Sequence, residues 1–425
     1  MAWLAAPIRG ARAWRLVTDL ALAEPAANTA TSRPVLRLLP GRDKRARHGH
    51  PWIYSNEVAM DAAARALTPG TVVTLRAAEG QALGTWMFNP RTLVAARLLD
   101  RDPDAVLDAG FFARRLRRAL DLRTRLFDQP FYRLVHAEGD GLPGVVVDRY
   151  GDVIVAQVNT AGMELATPAL LQAIDQVLAP RAVVLRNDGA VRALEGLGEG
   201  VRVVKGTIDG PVSLSENAVG FFADVLGGQK TGWFFDQRGN RAFMAALARG
   251  GRRVLDLYSH TGGFAVQAAV AGAAEVVAVD RSEPALVLAE RAARQNGVAQ
   301  RCRFVRAEVF AEAERLAGAG ERFDVVIADP PAFVKARKDL AAGARGYRKL
   351  ARQAARLTAP GGIMFAASCS HNVEPETFAE QVRRGMTDAG RSGRIIRSAG
   401  AGPDHPVHPY LPETAYLKAL VLALD

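Results

Sequence analysis

Residues 252–280 read RRVLDLYSHTGGFAVQAAVAGAAEVVAVD, which is the pattern of a strand, a glycine turn, a helix and a second strand that ends in an acid. A short apolar run ends before the loop 258–263, and a compact helix of small residues follows that loop. In a parallel sheet, ligands bind beyond the carboxyl ends of the strands. Asp256, the loop and Asp280 should therefore face one crevice.

The glycine turn does not match the fingerprint of a dinucleotide-binding site. That fingerprint is G-x-G-x-x-G, whereas this turn carries only Gly262 and Gly263. A cofactor with a methionine-derived sulfonium has no phosphate, and it needs a close backbone approach and a carboxylate for its ribose hydroxyls. The stretch resembles the binding loop of class I S-adenosylmethionine methyltransferases. The alternative is an ordinary strand–helix–strand unit with two glycines in its turn.

The composition indicates a globular protein of two or three domains, because 425 residues are too many for one average core and 49% of them are hydrophobic. Charges interrupt the apolar runs well before the roughly 20 residues that span a bilayer, so no transmembrane helix is expected. The two cysteines, Cys302 and Cys369, exclude a disulfide framework and suit a reducing cytoplasm, which is the predicted location. Neither has metal-ligand neighbours at zinc spacing, so no metal is predicted.

The chain is strongly basic. Lysine and arginine number 55 against 44 aspartates and glutamates, which gives a formal net charge of +11. An enzyme that acts on small neutral metabolites gains little from such a charge, whereas a polyanionic substrate is attracted by it. The charge therefore favours a nucleic-acid partner.

Four regions follow from the order of the predicted elements. Residues 1–33 mix arginines with alanine, proline and threonine and contain no long apolar core, and we expect a disordered extension there. Residues 34–105 contain short strands separated by glycine, proline and asparagine turns and predict a small β-barrel. Residues 106–216 predict a strand–strand–helix–strand–strand α/β unit. Residues 217–425 alternate strands with helices, which is typical of a doubly wound, Rossmann-like sheet.

The segment 41–54, GRDKRARHGHPWIY, places basic residues directly before aromatic ones. Basic groups beside aromatic side chains suit phosphate contacts combined with base stacking on RNA. The alternative is a solvated run of charge followed by core aromatics. A helix predicted at 111–126 adds six arginines beside the barrel and widens the basic surface. The candidate RNA-binding residues of the basic segment are Arg42, Lys44, Arg45, Arg47 and Trp52.

A strand at 323–328 leads straight into Asp329-Pro-Pro-Ala-Phe333. The two prolines end the strand and stiffen the turn, which positions the Asp329 carboxylate at the carboxyl end of the sheet. There it can hydrogen-bond a ring nitrogen or exocyclic amine of a base, and Phe333 can stack on that base. The alternative is a structural N-cap role for Asp329. Cations of the following loop are candidates for phosphate contacts around an extruded nucleotide, namely Lys335, Arg337, Lys338 and Arg345.

Cys369 lies where the next predicted strand, 361–368, ends at the same crevice. Carbon 5 of cytosine is not nucleophilic enough to accept a methyl group unaided, but addition of a thiolate at carbon 6 makes it enamine-like. The methyl group then passes from the sulfonium to carbon 5, a base removes the carbon-5 proton, and the cysteine is eliminated. Cys369 is the candidate nucleophile, activated by a nearby cation or by His371, and Asp329 would assist at the Watson–Crick edge. Cys302 is interpreted as a small buried hydrophobe.

These motifs together resemble the PUA-containing 5-methylcytosine methyltransferases of bacterial large-subunit rRNA, over about residues 35–425. The resemblance rests on His50-Pro-Trp52, AEGDGLPGVVVD at 137–148, Lys230-Thr-Gly, Asp236-Gln-Arg238, residues 258–264, residues 329–333, Ser368-Cys-Ser370 and Asp404-His-Pro406. It implies an N-terminal PUA domain that binds RNA, a central EEHEE α/β domain and a Rossmann-like catalytic domain that uses S-adenosylmethionine.

The resemblance also implies roles for individual residues. Cys369 is implied as the nucleophile and Asp329 as the residue that assists at the base. The implied cofactor-binding residues are Gln229, Asp256, Tyr258, Ser259, Thr261, Gly262, Gly263, Phe264, Asp280, Glu308 and Asp329. Glu308 stands where the family more usually has aspartate, and the N-terminal extension is not part of the family pattern.

The favoured function is S-adenosylmethionine-dependent methylation of carbon 5 of a cytosine in large-subunit rRNA, through a covalent bond to Cys369. Two alternatives stay open. One is methylation of a base nitrogen with Asp329-Pro-Pro as the working motif, and the other is a non-catalytic RNA-binding or assembly factor on the same scaffold. Large-subunit rRNA is the predicted partner, and neither a membrane nor a metal is expected. The oligomeric state stays open, with a homodimer among the options.

Overall fold

The computed structural model describes residues 33–425. The predicted disordered extension lies outside these residues, except for Arg33. The Arg33 guanidinium donates hydrogen bonds to the Thr85 hydroxyl and to the carbonyls of Pro103 and Ala105. Arg33 is thus already anchored on the first domain.

The first domain is a curled five-stranded sheet. Its elements are β1 (Val35–Arg37), α1 (Lys44–Arg47), β2 (Trp52–Tyr54), α2 (Ala62–Ala66), β3 (Thr71–Arg76), β4 (Ala82–Phe88) and β5 (Val94–Asp100). The strand order is β1-β3-β4-β5-β2, with β1 parallel to β3 and the other neighbours antiparallel. A bridge between Leu38 and Val58 joins the segments after the two edge strands, so the sheet curls around Trp86 and Phe88. The predicted small barrel is confirmed.

The central domain is a five-stranded sheet. Its elements are α3 (Ala109–Leu126), β6 (Phe131–His136), β7 (Val145–Tyr150), β8 (Val153–Val158), α4 (Ala161–Leu165), α5 (Thr167–Leu178), β9 (Ala182–Asn187), α6 (Val191–Leu194) and β10 (Gly200–Lys205). The strand order is β10-β9-β8-β7-β6, with β8 parallel to β9 and the other neighbours antiparallel. Three strands precede α5 where two are predicted, and the last predicted strand belongs to a separate hairpin.

The largest domain begins with that hairpin. Its elements are β11 (Val212–Glu216), β12 (Val219–Ala223), α7 (Arg238–Leu247), β13 (Arg253–Leu257), α8 (Gly263–Ala271), β14 (Glu275–Asp280), α9 (Glu283–Gln295), β15 (Cys302–Arg306), α10 (Val309–Gly318), β16 (Phe323–Ala328), α11 (Leu340–Leu357), β17 (Thr358–Ser368), α12 (Pro375–Asp388), β18 (Gly393–Ala399) and β19 (Lys418–Leu424). The strand order is β15-β14-β13-β16-β17-β19-β18, and β19 is antiparallel to both neighbours. The order reverses between β13 and β16, which is where such sheets bind ligands. The predicted Rossmann-like sheet is confirmed.

Apolar cores connect the sheets. One core runs from α8 and α9 of the largest domain to Val155 and Val184 of the central sheet, and another joins Phe112 of α3 to Val72 and Met87 of the first domain. The predicted domain boundaries, after residues 105 and 216, stay predictions, and the second falls in the turn between β11 and β12. Within residues 33–425, no helix is long and apolar enough to cross a bilayer.

Candidate active site

The carboxyl ends of β13 and β14 hold the loop predicted to bind a cofactor. Asp256 accepts a hydrogen bond from the backbone amide of Ala265 in α8 at 3.0 Å. Asp280 accepts hydrogen bonds from the backbone amides of His260 at 2.9 Å and Ser282 at 2.8 Å. The two carboxylates therefore anchor the loop and the helix that follows it, and the structure brings both to one crevice.

The loop backbone adopts conformations that side chains rarely accept. Tyr258 and His260 have φ angles of 66° and 49°, and Gly262 has a φ angle of 78°. A Cβ atom on Gly262 would lie 2.8 Å from the Cβ of Ala289 in α9, so this position requires glycine. Left-handed backbone at two non-glycine residues in one loop indicates a functional constraint on its shape.

The polar groups of the loop fit the hydroxyl and cationic groups of S-adenosylmethionine. Among the described residues, Oδ1 of Asp256 and Oγ of Ser259 are buried without a hydrogen-bond partner. Burial raises the pKa of Asp256 to about 8, and the charges of Asp329 and Asp280 contribute to this rise. A ligand with a positive charge and hydroxyl donors would relieve both the crowding of carboxylates and the missing hydrogen bonds.

Aromatic side chains border the loop. The ring centre of Phe333 lies 6.4 Å from that of Tyr258, 6.2 Å from that of Phe310 and 4.8 Å from that of Tyr347. Burial raises the pKa of Tyr258, and the charge of Glu308 adds to this rise, so the exposed Glu308 is near the same cluster. Phe333 packs among these rings, and its stacking on a base stays a prediction.

The other predicted cofactor residues have different surroundings. Thr261 is buried with its Oγ1 3.3 Å from Nδ1 of His260, and Gly263 begins α8 directly against the Arg241 side chain. Phe264 is buried, and its ring centre lies 5.2 Å from that of Phe365 in the core. The structure therefore places Phe264 among packing residues. Gln229 lies exposed in the turn before Lys230.

Asp329 and Cys369 follow the carboxyl ends of the neighbouring parallel strands β16 and β17. Ala328 pairs with Ala366 in the register of these strands. Asp329 is the next residue after Ala328, and Cys369 comes three residues after Ala366, so both candidate catalytic residues lie just beyond the same paired position. Burial raises the pKa of Asp329 to about 7, and the charge of Asp236 adds to this rise. Burial also raises the pKa of the Cys369 thiol, whereas the charge of Lys230 lowers it. Lys230 is thus the nearby cation that the sequence leaves unidentified.

The two serines beside Cys369 hold the end of β17 in place. Ser368 Oγ donates a hydrogen bond to the Tyr347 hydroxyl at 2.8 Å, and Ser370 Oγ lies 2.7 Å from the same hydroxyl. The backbone amide of Val334 donates to Ser370 Oγ at 3.2 Å. These bonds connect the strand end to α11 and to the turn after Asp329, so the thiol is presented from a braced backbone.

One wall of the crevice comes from residues 229–241, just before β13. Trp233 and Phe235 of this segment are only 2% and 1% exposed, so they anchor the wall in the core. The Tyr416 hydroxyl donates a hydrogen bond to Oδ2 of the buried Asp236 at 2.6 Å. Lys230 Nζ lies 4.7 Å from the ring centre of Phe234.

Lys230 and Asp236 are functional candidates that sequence reasoning missed as individual residues. Both lie in the motif that carries the family resemblance, which is the signal that could have identified them. Tyr416 has no such signal, because it lies in an irregular segment before β19, and β18 and β19 are themselves absent from the predicted strands. Within the described chain, no group of three or more His, Cys, Asp or Glu residues could hold a metal ion.

Residues 44–47 of the basic segment form the short helix α1. Arg45 lies 3.3 Å from the Glu57 carboxylate. Arg47 forms ion pairs with Asp43 and, at 2.5 Å, with Glu79. Two of the four predicted RNA-binding cations of this segment therefore already have carboxylate partners within the domain.

The remaining predicted RNA-binding residues are more accessible, apart from Trp52. The Trp52 ring is half-buried, with its Nε1–H donating to Glu138 of the central domain at 2.8 Å and the Arg97 guanidinium over the ring. Arg42 and Lys44 are exposed. The cations after Phe333 are exposed as well: Lys335, Arg337, Lys338 and Arg345.

Comparison with known proteins agrees with this architecture. Residues 203–422 match a family model described as S-adenosylmethionine-dependent methyltransferase, and residues 36–101 match a PUA-like domain. A protein named ribosomal RNA large subunit methyltransferase I from Aeromonas salmonicida is 36% identical over 390 residues, which cover 91% of this chain and 98% of that protein. The protein of the same name from Cronobacter sakazakii is 36% identical over 393 residues, which cover 90% and 97%.

Solved structures share the fold across the described domains. A candidate S-adenosylmethionine-dependent methyltransferase from Streptococcus mutans matches with a TM-score of 0.77 at 21% identity, covering 92% of this chain and 100% of that one. A candidate methyltransferase in complex with SAH matches with a TM-score of 0.78 at 20% identity, covering 92% and 99%. With its relatives matched over nearly their whole length, the chain belongs to the S-adenosylmethionine-dependent methyltransferase family, and its cofactor is S-adenosylmethionine.

Proposed function

We propose that this protein methylates carbon 5 of a cytosine in large-subunit rRNA through a covalent bond between Cys369 and carbon 6 of the base. The observation that carries the proposal is the position of Cys369, next to the strand that presents Asp329 and within the field of Lys230. The names of the relatives, the PUA-like domain and the net charge of +11 support rRNA as the substrate.

The proposed reaction begins with the thiol and the base. Lys230 favours the thiolate form of Cys369 and so opposes the effect of burial. Asp329, with a pKa of about 7, is partly protonated at neutral pH and can donate its proton to the base as the thiolate adds to carbon 6. S-adenosylmethionine supplies an electrophilic methyl group when it is bound. Loss of the carbon-5 proton, departure of the Cys369 thiolate and return of the donated proton to Asp329 then restore the neutral aromatic base.

The cofactor loop has groups for each part of S-adenosylmethionine. Each Asp280 oxygen accepts one backbone hydrogen bond and keeps a lone pair, so we infer that Asp280 binds the ribose hydroxyls. The unpartnered oxygens of Asp256 and Ser259 would accept from, or donate to, the methionine portion. Tyr258 and its aromatic neighbours would flank the adenine, with Glu308 at the edge of that site. Contacts by Gln229, Thr261, Gly263 and Phe264 stay predictions.

RNA would approach over the exposed cations around the crevice. The cations after Phe333 are placed to hold phosphates beside an extruded nucleotide, and Arg42 and Lys44 extend the basic surface onto the PUA-like domain. Because Arg45 and Arg47 have carboxylate partners, their contribution to RNA binding should be the smaller one.

Trapping with RNA that carries 5-fluorocytosine tests the proposed chemistry. Fluorine at carbon 5 cannot leave as a proton, so the enzyme–RNA adduct should persist after denaturation, and it should require S-adenosylmethionine. Peptide mapping should find the nucleotide attached to Cys369, and the Cys302→Ala variant should form the same adduct. A protein that methylates ordinary RNA but forms no adduct, with the methyl group on a base nitrogen, would refute the proposal and support the nitrogen alternative.

A further inference from the structure

Helix α3 connects the first domain to the catalytic domain. Near its beginning, Arg115 donates a hydrogen bond to the Asp100 carboxylate at 2.9 Å. Near its end, the fully buried Arg123 pairs with Asp140 at 2.7 Å and donates to the backbone carbonyl of Asp404 at 2.9 Å. These two arginines hold the helix between the domains.

The outer face of α3 carries a different class of arginine. Four exposed arginines have no carboxylate within 4 Å among the described residues, namely Arg114, Arg117, Arg118 and Arg125. Their spacings of three, four and seven place them on one face of the helix, opposite the buried Phe112 and Leu116. With Asp121 and Leu122 they line a groove of about 440 Å³. We name these four residues the α3 arginine face.

Several exposed arginines on other helices are neutralised within the chain. Arg294 pairs with Glu290 at 2.6 Å, and Arg383 and Arg384 both pair with Glu380 at 2.6 Å. Like charges three and four residues apart destabilise a helix, so four arginines that share a face with the single acid Asp121 are a cost to the free protein. A ligand with regularly spaced negative charges would offset that cost.

We propose that the α3 arginine face is a docking surface for the phosphodiester backbone of the RNA substrate, along which RNA runs between the PUA-like domain and the catalytic domain. The choice of RNA as the ligand rests on the proposed function. The face extends about 16 Å from Arg114 to Arg125, at about 1.5 Å per residue. The planar guanidinium groups match phosphate oxygens in pairs, which favours backbone contacts that are independent of base sequence.

The test compares two variants that lose the same charge. The first is Arg114→Gln/Arg117→Gln/Arg118→Gln/Arg125→Gln, and glutamine preserves helix propensity. The control replaces four exposed arginines that have carboxylate partners, Arg294→Gln/Arg306→Gln/Arg383→Gln/Arg384→Gln. Fluorescence anisotropy would measure the affinity for a substrate rRNA fragment at several salt concentrations, and calorimetry would measure the affinity for S-adenosylmethionine.

We expect the first variant to bind RNA at least about tenfold more weakly and its log–log salt slope to be smaller in magnitude by about 2 to 3. The control should change affinity by less than about twofold, and both should keep their affinity for S-adenosylmethionine. Equal RNA affinities and salt slopes in the two variants would overturn the proposal. The identity of the methylated nucleoside at saturating RNA reports on the proposed function separately, because a docking surface alters affinity and not the product.

A second inference concerns Asp236, a buried carboxylate with one unused oxygen. Its Oδ2 accepts the hydrogen bond from Tyr416, whereas its Oδ1 is buried without a partner among the described residues. Ser368 pairs with Lys418 in the antiparallel register of β17 and β19, so Tyr416, two residues earlier, lies across from the segment of Cys369. Asp236 is therefore held near the candidate nucleophile, and its charge acts to raise the pKa of the Cys369 thiol.

Asp236 is anionic in spite of its burial. Burial acts to raise its pKa, but Lys230, His405 and the hydrogen bond from Tyr416 together bring the pKa below its usual value. Asp329, directly after β16, has a pKa of about 7. Two carboxyl groups in one crevice with pKa values displaced in opposite directions suit a proton acceptor and a proton donor.

We propose that Oδ1 of Asp236 accepts the carbon-5 proton after methyl transfer, within the reaction proposed above. The electron pair of the carbon–hydrogen bond forms the double bond between carbons 5 and 6, the bond between carbon 6 and sulfur breaks, and Cys369 leaves as a thiolate. The proton stays on Asp236 until solvent removes it.

The variant Asp236→Asn tests this role, because the amide keeps the shape of the carboxylate and cannot accept the proton. We expect ordinary RNA to accumulate as a denaturation-resistant adduct that already carries the methyl group, with multiple turnover reduced at least about a hundredfold. The adduct should disappear in Asp236→Asn/Cys369→Ala, and Asp236→Glu should recover part of the turnover.

Wild-type turnover by Asp236→Asn, or loss of its affinity for S-adenosylmethionine, would overturn the assignment of Asp236 as the base. If Asp236→Asn unfolds, Asp236→Glu provides the test instead. The longer side chain displaces the base, so tritium should be released from carbon 5 more slowly than the methyl group is transferred. Failure of the wild-type enzyme to form an adduct with 5-fluorocytosine would instead refute the proposed function.

Discussion

The basic segment of the first domain and the crevice of the catalytic domain differ in whether their charged groups are paired within the chain. In the segment, Arg45 and Arg47 are neutralised by acids of the same domain. In the crevice, Asp256 and Asp329 have pKa values raised to about 8 and 7, chiefly by burial, and nearby aspartates contribute to both. Charges that are paired inside the chain stabilise the fold, whereas crowded and unpaired charges mark where a ligand binds.

The largest effect is expected at the nucleophile in the crevice. Cys369→Ala should lower the methylation rate by at least about a thousandfold, because no other group can add to carbon 6. Its affinity for S-adenosylmethionine should change by less than about twofold. Cys302→Ala is the matched control, since Cys302 lies in β15 and its pKa is raised to about 11 by burial, and it should keep full activity. A rate for Cys369→Ala similar to that of the control would refute the covalent mechanism.

Asp256 should make the protein less stable as the pH rises. Its pKa of about 8 in the folded state exceeds the value of about 3.9 in an unfolded chain, so between these pH values the folded state holds a proton that the unfolded state has lost. Stability contributed by this group is full at low pH and decreases as the pH rises from about 4 to 8. At pH 8.5, the free energy of unfolding of Asp256→Asn should therefore exceed that of wild type by on the order of a few kcal/mol, and the variant should unfold at a higher temperature.

The measurement is thermal unfolding without cofactor at pH 5 and at pH 8.5. The unfolding temperature of Asp256→Asn should exceed that of wild type by a small amount at pH 5 and by a larger amount at pH 8.5. Asp175→Asn, at an exposed ion pair of the central domain, is the control and should show no such growth. A stability difference for Asp256→Asn that is independent of pH would contradict the raised pKa.

The positive charge of Lys230 should increase the methylation rate at neutral pH. Lys230→Met removes the cation that lowers the pKa of the Cys369 thiol, so the thiolate should form at higher pH. The rate at pH 7 should fall by about tenfold, and the rising limb of the pH–rate profile should move to higher pH. Lys205→Gln, at an exposed ion pair with Asp175, should leave the profile unchanged. An unshifted profile for Lys230→Met would show that another group activates the thiol.

The smallest effect is expected in the basic segment. Arg42→Gln/Lys44→Gln should weaken RNA binding by a few-fold and reduce the log–log salt slope by about 1.4, because both side chains are exposed. Arg47→Gln should leave RNA affinity nearly unchanged and slightly lower the unfolding temperature, because Arg47 bonds to acids of its own domain. If Arg47→Gln reduced the salt slope as much as the double variant does, the contrast between paired and unpaired cations would fail.

Local patterns allowed part of the site to be predicted. Asp256 and Asp280 lie at the ends of β13 and β14, and the glycine turn before α8 separates these strands. All these signals lie within thirty residues, so they can be recognised from the local sequence. Asp329 is placed by the two prolines that follow it, and Cys369 by the end of an apolar strand. Strand β18 is harder to recognise, because it is largely exposed and lacks a clear apolar alternation.

The amino-acid sequence by itself determined the class of fold, and it predicted the cofactor loop and the roles of Asp329 and Cys369, because each depends on neighbours in the chain. Only the tertiary structure decided which charges are free. It separated the bridging arginines of α3 from the exposed ones, paired Arg47 with Glu79, and set Asp236 against Tyr416, which is 180 residues away. The physical reason is that burial and ion pairing depend on contacts between distant segments, and these contacts determine whether a charged group stabilises the fold or remains available to a ligand.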